Sequence, residues 1–317
     1  MTRAEARLEG VVTARGRGLH LTTHQREAVV GYLFLSPWLV GFLVFLVGPM
    51  VASVLLSFTQ YKVIKAPVWI GLANYQRMFS DDLFYHSLRV TVTYTAISVP
   101  LGIMAALGIA ILLNQKIVAS GVFRTIYYLP SIISGVAVAI VFAWIFNFRF
   151  GILNYLLSLV GIEGPNWLGS SRYALSAFVI MSLWGIGGTV VIFLAALQGV
   201  PQALYEAAEI DGAGSWRRFL NITLPMISPA ILFVLIMGVI GTLQTFTQAY
   251  IMTGGGPANA TLFYLLYLYK NAFNWFEMGY ASALAWLLFL IIMACTLLMI
   301  RSSAVWVHYE SGKEGGV

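Results

Sequence analysis

The chain has 317 residues, 60% of them hydrophobic and only 9% charged, whereas ordinary soluble domains carry roughly 25% charged residues. A mean hydropathy of +0.85 and a single cysteine, Cys295, exclude a disordered chain, a charged coiled coil and a disulfide scaffold, and place the chain in a lipid bilayer. The 18 Lys and Arg against 12 Asp and Glu leave a net charge of +6, but the positive residues are dispersed and five sit in the first 26 positions, so anionic lipid headgroups rather than nucleic acid are the expected partner.

A helix needs about 20 apolar residues, at roughly 1.5 Å each, to cross the hydrocarbon core. Six long stretches free of charge meet that need and predict spans near 29–58, 90–113, 125–147, 173–198, 226–250 and 279–301. Backbone polar groups in hydrocarbon must be satisfied within the segment, and barrel strands would be shorter and alternating. The predicted fold class is therefore all-α, a polytopic membrane protein with six transmembrane helices. The first span follows a charged tail, residues 1–28, and is longer than the apolar core of a signal peptide, so it is expected to be retained. Pro37 and Pro49 should bend it. Two shorter apolar pieces, Phe150 to Ile162 and Thr261 to Tyr269, cannot cross and are expected as surface helices. The four glycine and proline positions Gly254 to Pro257 predict a flexible outer loop, and residues 304–317 form a second tail.

Lys and Arg set the orientation. With a cytoplasmic amino terminus, eleven of them fall inside (Arg3, Arg7, Arg15, Arg17, Arg26, Lys116, Arg124, Arg217, Arg218, Arg301 and Lys313). Seven fall outside (Lys62, Lys65, Arg77, Arg89, Arg149, Arg172 and Lys270), so both termini are expected in the cytoplasm. The longest loops run about 30 residues, too few for an independent core, so the whole of 29–303 reads as one membrane domain.

The loop between spans four and five, residues 199–225, concentrates charge in a charge-poor chain. Leu204, Ala207 and Ala208 share one helical face, as do Trp216, Phe219 and Leu220, with Gly212 and Gly214 breaking the path between them. Pro201 suits the opening of the first helix and Pro225 the exit into span five. This predicts helix, sharp turn, helix. On physical grounds alone it fits both an amphipathic connector lying on the membrane and a docking element.

The spacing Glu206-Ala207-Ala208, Gly212, Ile222, Leu224-Pro225, with Asp211 and Ala213 flanking the glycine, resembles the cytoplasmic Glu-Ala-Ala signature of permease subunits of binding-protein-dependent ABC importers. Ser36-Pro37-Trp38, Gly71 to Tyr75, Leu129-Pro130 and Met252 to Pro257 look like the carbohydrate branch of that family. The likeness is greater to the maltose-transporter F-type and glycerol-phosphate A-type subunits than to their heterodimer partners, and the large outer domain of some F-type proteins is absent. The resemblance covers roughly residues 30 to 303. It implies that Glu206, Ala207, Ala208, Asp211, Gly212, Ala213, Ile222, Leu224 and Pro225 form the contact with a dimeric ABC ATPase. It also implies a second, different permease subunit, an extracytoplasmic solute-binding protein, a carbohydrate substrate and a location in the inner membrane.

The sequence holds no Gly-x-x-x-x-Gly-Lys-Ser/Thr, since Gly312-Lys313 is followed by Glu314, so ATP is expected to be used by a separate subunit and the chain is expected to be no enzyme and to hold no cofactor or metal. No Asp, Glu, Lys or Arg lies in the interior of a predicted span, Arg301 standing at the end of the sixth, which disfavours an ion-coupled secondary carrier and an intramembrane hydrolase; an ATP-independent secondary transporter or channel subunit is the alternative class. The polar candidates for a ligand path are Gln244, Thr245 and Gln248 on one face of span five, with Thr242 flanking, and Trp184 in span four. Two readings stand open for each. The amides and hydroxyls suit sugar hydroxyls or bind neighbouring helices, and Trp184 stacks on a sugar ring or packs in the core.

Overall fold

The computed structural model describes residues 22–115 and 120–308. The predicted amino-terminal tail up to residue 21, Lys116 and the end of the carboxy-terminal tail lie outside the described residues. The chain divides into two compact units, residues 1–53 and 54–317.

In the first unit, Thr22 caps helix α1 (Thr23–Phe42): its hydroxyl accepts from the Gln25 N–H, and the Gln25 side chain accepts from the Thr22 N–H. This reciprocal pair satisfies two of the free donors at a helix start. Pro37 lies within α1 and Trp38 stacks on Phe42 at 5.2 Å. A wide turn, Leu43–Val47, leads into α2 (Gly48–Ser57), whose second residue is Pro49. The ring at 49 donates no hydrogen bond and crowds the carbonyl four residues back, and widening the preceding turn relieves that crowding.

The second unit opens with a short antiparallel pair, β1 (Thr59–Gln60) and β2 (Val68–Trp69), which together with a single bridge between Lys62 and Glu277 is the β-pairing among the described residues of an otherwise helical fold. Helix α3 (Ala73–Phe79) follows. It belongs to the Gly71 to Tyr75 stretch singled out in the sequence, and its buried Asn74 explains that stretch: the amide donates to the carbonyls of Ser57 and Thr59, while the Tyr75 hydroxyl donates to the Ser57 hydroxyl. Carbonyls left free at the end of the first span are thereby satisfied.

Among the described residues, four helical stretches are long and apolar enough to cross a membrane: residues 23–57, α4 (Asp82–Asn114), residues 228–252 taken together, and α16 (Met278–Trp306). The third and fourth predicted spans are bent pairs. Helix α5 (Ser120–Ile132) meets α6 (Gly135–Ile145) at 99°, and α8 (Ala174–Trp184) meets α9 (Gly187–Gln198) at 48°. Counting each pair as one span gives the six expected. Pro130, Gly185 and Gly187 stand beside the breaks, where a missing donor and low helix propensity weaken the ladder. Gly187 also allows a close approach, because a β-carbon there would collide with the Tyr127 carbonyl.

Of the two short apolar pieces, α7 (Ile152–Leu159) is the exposed surface helix expected. The other, around α15 (Tyr264–Tyr269), is not on the surface: Leu262, Phe263, Tyr264, Leu266 and Tyr267 are buried. Its polar atoms find partners that permit burial. The Tyr264 N–H donates to the Thr91 hydroxyl, the Tyr264 hydroxyl donates to the Leu284 carbonyl, and the Tyr267 hydroxyl donates to Asp81. Asp81 also caps α4 through the N–H groups of Leu83 and Phe84 and accepts from Tyr280 at 2.6 Å. One carboxylate so ties the start of α4 to α15 and α16.

Packing falls into two clusters. One joins α4, α8, α15 and α16 through Phe84, Tyr94, Phe178, Phe263, Tyr264 and Leu284. The other joins α4 and α9 to residues 227–234 through Ala106, Leu107, Ala110, Leu113, Phe193 and Leu197. Ala106 and Ala110 are fully buried, and small residues at such positions let membrane helices approach closely.

Candidate functional site

Two places carry the predicted site residues: the loop between spans four and five, and a cleft among spans two to five.

In the loop, α10 (Gln202–Ile210) begins after Pro201 and ends in a left-handed turn. Gly212 has φ +76°, its N–H donates to the Glu209 carbonyl, and the Ala213 N–H donates to the Ala208 carbonyl at 2.8 Å. This is the glycine-dependent helix stop that the sequence predicted. Helix α11 (Ser215–Arg218), a wide turn at Phe219–Thr223 and α12 (Leu224–Met226), which contains Pro225, lead back to the membrane.

Of the three residues expected on one face of α10, Leu204 and Ala207 share the outward face and Ala208 departs from them. Leu204 and Ala207 are exposed, and the inward face is formed by Tyr205 and Ala208. Tyr205 turns inward because its ring packs on the second cluster and its hydroxyl meets that of Thr223 at 2.9 Å. The outward face keeps Glu206, held by a hydrogen bond from the Gln202 amide at 3.0 Å, beside Leu204, Ala207 and an Ile210 that is 88% exposed. Asp211 is exposed, Ala213, Ile222, Leu224 and Pro225 are half-buried, and Trp216 is 71% exposed. Arg218 pairs with Glu209 at 3.4 Å across the turn.

Span five is not one straight helix. Helix α13 (Ser228–Leu243) stops, the chain leaves the α-helix over Gln244 to Phe246, and α14 (Thr247–Met252) resumes. Gln244, Thr245 and Gln248 therefore do not share a continuous helical face. They are nevertheless brought together, since Trp184, Thr242, Gln244, Thr245 and Gln248 all line one cleft of about 450 Å³. Its wall also includes Tyr94, Ser131, Ser182 and Thr247, which sequence reasoning missed. Hydroxyl residues in apolar runs give little signal until the helices are placed.

All three helix breaks open onto this cleft: Pro130, Ser131, Ile133 and Gly135 from the first, Trp184 and Gly185 from the second, Gln244 to Phe246 from the third. Unwound backbone at membrane depth is tolerated where it lines a polar cavity, so the breaks and the cleft account for each other. Among the described residues, the Gln244 and Gln248 amides have no hydrogen-bond partner, while Thr242 and Thr245 bond back to carbonyls of their own helix. The amides are thus the uncommitted donors and acceptors. Trp184 is 40% exposed, with one edge against Phe142 at 5.5 Å, so the ring both packs and borders the cleft. A second cleft of about 310 Å³ shares Ser182, Gly185 and Thr242 with the first and continues along α4, α9 and α13 past Ser98 and Thr189.

The glycine-rich loop at the end of span five is pinned by hydrogen bonds where a flexible loop was expected. The Thr261 hydroxyl donates to the Gly256 carbonyl, Lys270 donates to the Gly254 carbonyl at 2.7 Å, and His86 lies 2.8 Å from the Asn259 carbonyl. Burial pushes the Lys270 pKa down.

Residues 98–306 match the family model described as binding-protein-dependent transport system inner membrane component. The chain is 46% identical over 295 residues to a probable ABC transporter permease, YesP, of Bacillus subtilis, covering 92% of this chain and 95% of that one. It is 35% identical to the trehalose/maltose transport system permease MalF of Thermococcus litoralis, over 87% and 94% of the two chains. The fold matches a chain from the crystal structure of a bacterial ABC transporter involved in the import of the acidic polysaccharide alginate, with a TM-score of 0.78 at 24% identity, over 88% and 96% of the chains. With four to six apolar spans among the described residues and relatives matched over most of their length among ABC permeases, this chain belongs to the inner membrane components of binding-protein-dependent transport systems.

Proposed function

We propose that this chain forms one half of the translocation path of an ATP-driven carbohydrate importer and receives its driving force through α10. The observation that carries the reading is the meeting of three helix breaks at one neutral polar cleft with two uncommitted amides. A sugar leaving water needs replacement partners for its hydroxyls, and amides and hydroxyls supply them without charge. The relative named for trehalose and maltose supports a sugar as cargo.

The loop and the cleft are connected by two helices. Helix α9 runs from the break at Gly185 to the loop, and α13 runs from the loop to the break at Gln244. At 1.5 Å per residue they span about 18 and 24 Å. A push on α10 would be carried by these rods to the two breaks, which would act as hinges. The outward face of α10, apolar around Glu206, fits a groove on a separate ATPase, and closure of two ATPases would move two such helices together. The loop then faces the cytoplasm and both termini lie inside, in agreement with the excess of Lys and Arg there. A second permease subunit would complete the path, and a solute-binding protein would deliver the cargo from outside, as the family description implies.

Copurification tests the reading. The chain expressed with its native neighbours should bring down an ATPase, a second permease and a solute-binding protein, and ATP turnover should depend on the loaded binding protein. Isolation of a transport-competent chain without an ATPase would overturn it in favour of an uncoupled carrier.

A further inference from the structure

At the far end of α6 the chain makes a pocket of about 430 Å³ that the translocation path does not use, bounded by Trp144, Phe148, Arg149, Phe150, Tyr155 and Ser158. Arg149 forms no ion pair among the described residues, and its side chain makes no hydrogen bond there. Its backbone is fixed instead, because the N–H groups of Arg149 and Phe150 donate to the Asn147 side chain at 3.0 and 3.3 Å. The Asn154 amide donates to the Phe148 carbonyl, and its oxygen accepts from the Trp167 indole at 2.7 Å, so the loop under the pocket is held in place. The guanidinium is thus a charge on a fixed loop without a counter-charge.

Its surroundings indicate what supplies that counter-charge. Trp144, Phe148, Phe150 and Tyr155 are each more than half exposed, and α7 adds exposed Leu156 and Leu159. Aromatic side chains around a cation at the end of an apolar span mark the level where headgroups meet hydrocarbon. There a guanidinium can take two phosphate oxygens at once while apolar neighbours lie along an acyl chain. A soluble anion would gain nothing from the apolar wall, and an apolar partner would leave the charge unpaired.

We propose that this pocket holds the phosphate of one membrane phospholipid, bound by Arg149, with its acyl chains along α7. The site stands apart from α10 and from the cleft, so it can fail while the transport reading holds.

Native mass spectrometry of the detergent-purified chain, titrated with phosphatidylglycerol, tests it. The first bound lipid should be weakened at least tenfold by Arg149→Gln and less by Arg149→Lys. Arg172→Gln, at another exposed arginine of the same expected side, should leave it unchanged. Diacylglycerol with the same chains should not fill the site, and inorganic phosphate alone should not displace the lipid. Unchanged first-lipid binding in Arg149→Gln, equal binding of diacylglycerol, or displacement by inorganic phosphate would each overturn the proposal. So would protection of a Ser158→Cys thiol by a second permease subunit, which would make the pocket a protein interface.

Discussion

The Tyr205 hydroxyl meets the Thr223 hydroxyl at 2.9 Å, joining the inward face of α10 to the segment that re-enters the membrane as span five. The bond ties α10 to the foot of span five. On the coupling role proposed for α10, its loss leaves the helix folded through its glycine stop but loosens the link that carries movement to span five. Tyr205→Phe should therefore leave expression and basal ATP turnover of the assembled complex near normal and reduce cargo moved per ATP. The lost bond costs about 1 kcal/mol. Unchanged coupling would show that packing of the ring alone suffices.

Glu206→Lys should abolish transport with membrane insertion intact, because it reverses an exposed charge and touches no span. Gly212→Val should act similarly for a different reason. There is open space around Gly212, but its φ of +76° is strained for a β-branched residue by about 1–3 kcal/mol. Uptake assays beside ATPase assays separate the two, and full uptake by both variants would remove the coupling role of this loop.

In the cleft, Gln244→Leu and Gln248→Leu should each lower uptake about tenfold while assembly and basal ATPase activity persist. Each removes partners for a desolvated hydroxyl worth about 1–3 kcal/mol. Loss of assembly instead of loss of uptake would identify the amides as contacts to the second permease subunit.

Orientation can be read from thiol labelling in a Cys295→Ser background. Ile64→Cys, at a site 95% exposed, should react with an impermeant reagent in intact cells, and Ile210→Cys should react only after permeabilisation. The reverse pattern would place α10 outside and end the ATPase argument.

Asp81 makes stability depend on acid. Burial opposes its ionisation, but hydrogen bonds from Tyr267, Tyr280, Phe84 and Leu83 outweigh it and hold the carboxyl below its ordinary value of 3.8. The same contacts act oppositely on Tyr267, whose hydroxyl is pushed up to about 12 by burial first and by Asp81 second, so it stays neutral and donates. A depressed acid stabilises the fold above its ordinary pKa and loses that contribution as pH falls through the lowered value. Asp81→Asn should therefore lower Tm at pH 7, and the gap to the parent should close as pH drops below about 4. A constant gap would mean that the carboxylate charge is not what matters.

Charge-free length located the four long apolar helices and, where each bent pair is counted as one span, the remaining two, because removing a charged group from water into hydrocarbon is so costly that the gaps between charges outline the membrane. The stop at Gly212 was equally legible, since a left-handed residue after a helix asks for glycine. What one dimension could not show was where a span would break. Pro130 and Gly185 were visible, yet Pro100 lies within the continuous α4, so a weak point becomes a break only where neighbours leave room and a cavity accepts the freed backbone. The same holds for side chains. Tyr205 turned inward because Thr223 lay across from it, and Tyr264 and Tyr267 were buried because Thr91, Leu284 and Asp81, distant in sequence, satisfied their polar atoms. Gln244 and Gln248 were identified from type and spacing, but their meeting with Trp184 and Ser131 depends on three helices interrupted at the same place, and tertiary packing alone decides that.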